Sequence, residues 1–145
     1  MAASPPLPIR WVDVESPSKG PADGVRRILA LYSPQGSADG WTIWVDAWSE
    51  SLREPEMRAT SRRLDVRWKD VLADLIRRGV ADGTFDCADP EGAAWRLCAL
   101  LDGLAVQVMV HRTLTRGQLA AWVCDAAARE LGVGPELLTA GHRSR

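Results

Sequence analysis

Five tryptophans and one aspartate are the side chains in this sequence best suited to holding a small molecule. Trp41, Trp44 and Trp48 follow one another at three- and four-residue spacing, so on a helix they share one face. The face of an indole ring attracts cations, which would suit a quaternary ammonium ligand. The alternative interpretation is that these rings are simply large core residues. The predicted pocket residues are Trp41, Trp44, Trp48, Trp68, Leu72, Trp95 and Asp102.

Asp102 lies inside an otherwise apolar segment. A buried carboxylate needs a partner, or its pKa rises. We therefore expect either a ligand contact or an interface hydrogen bond there. Alternatively, Asp102 lies on a partly exposed turn and pairs with an arginine such as Arg96 or Arg67. The next residue, Gly103, costs about 1 kcal/mol relative to alanine in a helix, and the close approach of another helix would offset that cost.

Catalytic and metal-binding patterns are missing from the sequence. No Ser-His-Asp or Cys-His pairing is indicated, no cluster has the spacing of metal ligands, and no phosphate-binding loop is present. The three cysteines, Cys87, Cys98 and Cys124, form no CxxC motif and are typical of reduced thiols in a cytoplasmic protein. We expect no enzyme activity, no cofactor and no metal.

Charge and hydropathy narrow the function classes further. The 145 residues carry 18 Lys and Arg against 19 Asp and Glu, which gives a net charge of −1. The basic residues form no continuous stripe that would bind phosphates. No run of about 18 apolar residues and no signal-peptide pattern is present. The sequence therefore favours a cytoplasmic protein that binds neither nucleic acid nor membrane.

Apolar residues recur at helical spacing from Asp23 onward, and no alternating strand pattern appears. The pattern predicts an all-α bundle of about five helices. We expect a Pro- and Ser-rich disordered tail over 1–22, the helical domain over 23–138 and a frayed tail over 139–145. The predicted helices run from Asp23 to about Tyr32 and over about 39–54, 56–81, 90–111 and 116–131.

Two helix starts and one helix end have clear local signals. Asp89-Pro90-Glu91 supplies a cap, a proline and an acid, and Thr115 with Gln118 matches a capping box. Gly132 is placed to end the last long helix. The predicted helix over 90–111 is apolar nearly all round, so we expect one side in the domain's own core and the other at a subunit interface.

Several ordered segments resemble the sensing domain of TetR-type regulators, in the subgroup that includes the choline-responsive repressor. They are residues 41–56 (WTIWVDAWSESLREPE), 80–85 (VADGTF), 89–94 (DPEGAA) and 100–104 (LLDGL). Each segment alone is weakly specific, but their order and spacing together are more so. The resemblance covers roughly residues 23–132.

The resemblance implies a cytoplasmic homodimer that binds a small hydrophobic or cationic effector. In such regulators the last two major helices, here 90–111 and 116–131, form a four-helix bundle with their mates. The expected interface residues are Leu97, Leu101, Gly103, Leu104, Val108, Leu119, Trp122, Val123 and Ala126.

Such regulators also carry a helix-turn-helix head, for which the 22 proline-broken residues before Asp23 leave no room. We expect a repressor's effector-binding and dimerisation domain without its own DNA-binding head. A misassigned start, an excised sensing domain and loss of the head from the gene would each explain this. The alternative function is a headless interaction protein, homodimeric or paired with a full-length relative, whose ligand binding is vestigial.

Overall fold

The computed structural model describes residues 19–33 and 39–139. This part of the chain is all-α, which confirms the predicted fold class, and it contains no strand. Of the predicted tails, only residues 19–22 and Thr139 are described. Pro21 and Ala22 belong to the first described helix. The helices are α1 (Pro21–Tyr32), α2 (Asp39–Ser51), α3 (Pro55–Ala81), α4 (Pro90–Val106) and α5 (Arg116–Leu131), with a final 3₁₀ turn at Pro135–Leu137.

The helix ends follow local chemistry. The Asp89 side chain accepts a hydrogen bond from the Gly92 backbone N–H at 3.0 Å, which caps α4. Thr115 and Gln118 form both bonds of the capping box at the start of α5. Gly132 ends α5 in the left-handed conformation, with φ 64°. These three predictions are confirmed. Helix α1 begins at Pro21, two residues before the predicted start, because proline is well tolerated in the first turn.

Helix α4 lies at the centre of the bundle. It packs against α3 on one side and α5 on the other, while α1 and α2 cover α3. The largest completely buried side chains, listed here, come from all of these helices except α2: Leu72, Ile76, Leu97, Leu101, Leu119, Leu131 and Val25. The core therefore lies between α4 and its neighbours α3 and α5, and it continues between α3 and α1.

The predicted helix over 90–111 changes its winding near its end. Residues Gln107–His111 form one wider π turn, and Arg112 then adopts the left-handed conformation with φ 56°. The carbonyl of Gln107 accepts backbone hydrogen bonds from both Arg112 and Thr113. These bonds close the helix with a wide turn, because they reach back five and six residues instead of four.

The combined segment Pro90–His111 has a mean hydropathy of 1.5 and is long and apolar enough to cross a membrane by those two criteria alone. The core helix of a soluble bundle meets the same criteria. Only a third of its most apolar stretch is buried within the chain. The segment therefore leaves apolar surface that its own chain does not cover.

Gly79 allows the end of α3 to meet the loop that follows it. A Cβ atom at Gly79 would lie 2.0 Å from Cδ2 of Phe85, a ring that is itself buried. The Phe85 backbone N–H also donates to the Gly79 carbonyl at 3.0 Å. The ring thus packs directly on the glycine backbone.

Replacing Gly79 with alanine is expected to lower the free energy of unfolding by about 1–3 kcal/mol, because the buried Phe85 ring must move. Urea denaturation measures this. The matched control is Gly117→Ala in α5, where the added Cβ would lie 3.8 Å from Thr115 Oγ1, an ordinary van der Waals distance. Its helix propensity predicts a gain of up to about 1 kcal/mol. Equal effects of the two substitutions would contradict the packing argument.

Candidate ligand site: an aromatic cluster beside a half-buried carboxylate

Four aromatic rings from three helices meet edge to face. Tyr32 lies 5.8 Å from Trp41 and 5.1 Å from Trp68 between ring centroids, with interplanar angles of 81° and 88°. Trp48 extends the set, 5.8 Å from Trp41 at 79°. We call these four residues the aromatic cluster. Edge-to-face packing of this kind stabilises the contact beyond the buried area alone.

Tyr32 joins the aromatic cluster to α4. Its hydroxyl donates a hydrogen bond to the Asp102 carboxylate, and its backbone carbonyl accepts one from Nε1 of Trp41 at 3.1 Å. One residue at the end of α1 thus contacts α2, α3 and α4. Tyr32 is not among the site residues expected from the sequence. The available signal was its place on the apolar stripe of α1, since a tyrosine there needs a partner for its hydroxyl.

Burial raises the pKa of Asp102 to about 6. The hydrogen bond from Tyr32 opposes this rise, the nearby Asp65 carboxylate adds to it, and the Lys69 ammonium opposes it. Asp102 is half-buried, in line with the alternative of a partly exposed turn, but its hydrogen-bond partner is Tyr32 and not Arg96. Arg96 instead holds Glu130 through two hydrogen bonds of 2.6 and 2.8 Å.

A buried lysine packs on the ring of Trp95. Lys69 is only 7% exposed, pairs with Asp65, and places its ammonium 4.0 Å from the centroid of the Trp95 ring. Half of Trp95 is exposed. Trp95 therefore already holds a cation of this chain. Trp44, another predicted pocket residue, is half-buried and packs against the core.

Very little empty space lies beside the aromatic cluster. A cavity of about 10 Å³ lies between α1, α3 and α4, at most enough for a single water molecule. The predicted residues Trp68 and Leu72 line it. The full lining is Ile28, Leu29, Tyr32, Trp68, Leu72, Cys98 and Leu101. Burial raises the pKa of the Cys98 thiol to about 12, so this wall is neutral at physiological pH.

A second and larger cavity, of about 280 Å³, opens between α1 and α5. None of the predicted pocket residues borders it. Its wall is mostly apolar, with Arg26, Ser33 and Thr139 as polar members. The remaining lining residues are Leu29, Ala30, Ala120, Ala121, Val123, Cys124 and Leu138.

The predicted interface residues divide by burial. Leu97, Leu101, Leu119 and Val123 are buried in the chain's own core, so they offer no surface to a partner in this structure. Periodicity identified their apolar faces but not what covers them. Gly103 and Trp122 are exposed, whereas Leu104, Val108 and Ala126 are half-buried.

One family model and one solved structure are similar to this chain. The family model for the C-terminal domain of BetI-type transcriptional repressors matches residues 21–132. A solved structure described as a transcriptional regulator from Saccharomonospora viridis, in complex with choline, is similar at a TM-score of 0.75 and 27% identity. The match covers 83% of this chain and 64% of that one, so this chain spans less than two thirds of its neighbour. A search of curated proteins found no match.

The ionised form of Asp102 is expected to cost stability at neutral pH. Its folded pKa of about 6 lies above the ordinary 3.8, so unfolding is favoured progressively as pH rises between these values. Asp102→Asn removes this cost and keeps an oxygen to accept the Tyr32 hydrogen bond. The free energy of unfolding of the variant minus that of the wild type should therefore increase by about 2 kcal/mol from pH 4.5 to 7.5.

The control for this titration is Glu130→Gln, for which the stability difference from the wild type is expected to change with pH in the opposite direction. Arg96 lowers the pKa of Glu130 through its hydrogen bond, so Glu130 contributes stability above its ordinary range and loses it as pH falls. Glu130→Gln should be less stable than the wild type at pH 7.5, by an amount that shrinks in acid. Thermal unfolding between about pH 3 and pH 7.5 measures both variants, because the Glu130 contribution is lost below its ordinary pKa of 4.5. A pH-independent difference for Asp102→Asn would contradict the burial of that carboxylate.

Proposed function

The chain belongs to the family of C-terminal domains of BetI-type transcriptional repressors, and we propose that it binds a small cationic effector through the aromatic cluster and Asp102. The observation that carries this proposal is the position of one half-buried carboxylate beside aromatic rings, since the Tyr32 hydroxyl contacts Asp102 while the Tyr32 ring contacts Trp68. Rings and a carboxylate together are the groups that recognise an organic cation.

A quaternary ammonium fits this chemistry better than a primary amine does. It has no N–H to donate, so it loses no hydrogen bond when it leaves water for an aromatic surface. The carboxylate supplies the opposite charge in a poorly solvated setting, where attraction is stronger than in water. The choline in the S. viridis regulator supports this class of ligand. We propose choline or a closely related quaternary ammonium compound as the effector.

We further propose that the chain acts as a cytoplasmic homodimer through α4 and α5. Trp122 on α5 is 46% exposed, and Val110 beyond α4 is 51% exposed. A Cβ atom at Gly103 would meet nothing within 4 Å, so no contact within the described chain requires glycine there. Close approach of a partner helix would offset its cost in helix propensity.

In this proposal the regulatory output belongs to the whole regulator. A ligand changes the packing of α2 and α3 against the dimeric core, and in a repressor that change alters the spacing of two DNA-binding heads. The second candidate is an interaction protein in which ligand binding is vestigial. The nearly closed cavity of about 10 Å³ favours this alternative.

Choline titration followed by tryptophan fluorescence tests the ligand site. We expect saturable binding of choline and at least tenfold weaker binding of 3,3-dimethyl-1-butanol, which has the same shape without the charge. Asp102→Asn should also weaken choline binding at least tenfold, which corresponds to about 1.4 kcal/mol.

The matched control for this titration is Asp70→Asn, which removes a carboxylate from the exposed face of α3 and should leave choline affinity unchanged. If choline at millimolar concentration gives no more signal than its neutral analogue, the vestigial alternative replaces the sensor.

The mass in solution tests the dimer. Light scattering should give twice the chain mass of 15.9 kDa. Gly103→Arg with Trp122→Arg should give folded monomers, because both positions are exposed and the paired helices would bring four charges together. The control is Leu52→Arg, at a position 77% exposed and outside α4 and α5, which should remain dimeric. A wild-type monomer, or a double variant that stays dimeric, would contradict this interface.

A further inference from the structure

The proposed cation site has the right groups but too little space. The cavity lined by Tyr32 and Trp68 holds about 10 Å³, far below the several hundred typical of ligand pockets. The Tyr32 ring borders this cavity, and its hydroxyl occupies the Asp102 carboxylate. The same residue therefore takes both the position and the charge partner that an ammonium group needs.

We propose that Tyr32 is the gate of this site: its hydroxyl occupies Asp102 in the unliganded chain, and a quaternary ammonium binds only when that hydrogen bond opens. This inference rests on the proposed function. The ligand and the phenol compete for one carboxylate, so the affinity measured for the ligand is its intrinsic affinity reduced by the fraction of chains that are open.

The surroundings of Tyr32 favour movement of this side chain over that of its neighbours. Trp41 and Trp68 are 6% and 2% exposed, whereas Tyr32 is only half-buried. Tyr32 is the last residue of α1, and Ser33 after it is already extended, with φ −69° and ψ 148°.

The backbone of Tyr32 has its own anchor. The Trp41 indole donates to the Tyr32 carbonyl at 3.1 Å, independently of the hydroxyl. The phenol can therefore leave Asp102 while α1 stays attached to α2. Opening would change the contact of α1 with α4 and preserve the contact of α1 with α2. Ligand binding at Asp102 would therefore move α1 and α2 together relative to α4.

Tyr32→Phe separates the gate from a direct ligand contact. The variant keeps a ring against Trp68 but has no hydroxyl to occupy Asp102. We expect choline to bind roughly tenfold more tightly than to the wild type, as the loss of one competing hydrogen bond to a carboxylate implies. Ser33→Ala is the matched control, since the Ser33 hydroxyl bonds the Leu29 carbonyl at 2.7 Å, and this variant should bind choline like the wild type.

Tyr32 is the only tyrosine of the chain, so its state can be observed directly. In protein labelled with 3-fluorotyrosine, the single ¹⁹F resonance should shift when choline is added. Asp102→Ala removes the acceptor and should shift the resonance without ligand, in the same direction as choline does in the wild type. This readout reports the phenol and not merely the stability of the fold.

Each outcome decides between explanations. Tighter binding by Tyr32→Phe together with the ligand-induced ¹⁹F shift would support the gate. Weaker binding by Tyr32→Phe, with choline still bound by the wild type, would show that the hydroxyl contacts the ligand, and would overturn the gate while keeping the proposed function. An unmoved ¹⁹F resonance at saturating choline would also overturn it. Absence of choline binding by both proteins would overturn the proposed function, and the gate with it.

Discussion

The hydrogen bond between Tyr32 and Asp102 is the polar contact at the point where the first four helices meet. A carboxylate on the most apolar helix of the bundle needs a donor, because removing a charge from water without a partner costs several kcal/mol. The donor comes from the end of α1, where the Tyr32 ring also packs against Trp41 and Trp68. One residue therefore connects α1, α2 and α3 to α4.

Helix α4 has more apolar surface than its own chain covers. Its buried residues face α3 and α5 within the chain, while Trp95, Gly103 and the end of the segment remain exposed. An apolar helix with one uncovered side gains free energy from any apolar cover, since the gain is about 25 cal/mol for each Å² removed from water. A partner helix on the proposed dimer face would supply this cover. The uncovered apolar side is also part of the reason why the segment is apolar enough to cross a membrane.

Local and long-range features were not equally predictable from sequence. The caps at Asp89 and Thr115 involve residues three positions apart, so their residue types suffice to predict them. The Tyr32–Asp102 bond joins residues 70 positions apart, and no spacing rule connects them. The same limit applies to Leu97 and Leu101, because periodicity shows that a face is apolar but not whether its own chain or a partner covers it. The π turn at Gln107 had no local signal either.

The charges around the aromatic cluster help to define what it can bind. Lys69 is paired with Asp65 and lies over Trp95, so its positive charge is already matched by a carboxylate and a ring. Among the described residues, the hydrogen-bond partner of Asp102 is the neutral phenol of Tyr32, and burial raises the pKa of Tyr32 so that the phenol stays neutral. Once Asp102 ionises, this group of side chains carries one uncompensated negative charge in a poorly solvated place. A single organic cation removes that imbalance, whereas an anion would add to it. Asp102 therefore destabilises the fold when it ionises, and the proposed ligand is the kind of group that best compensates its charge.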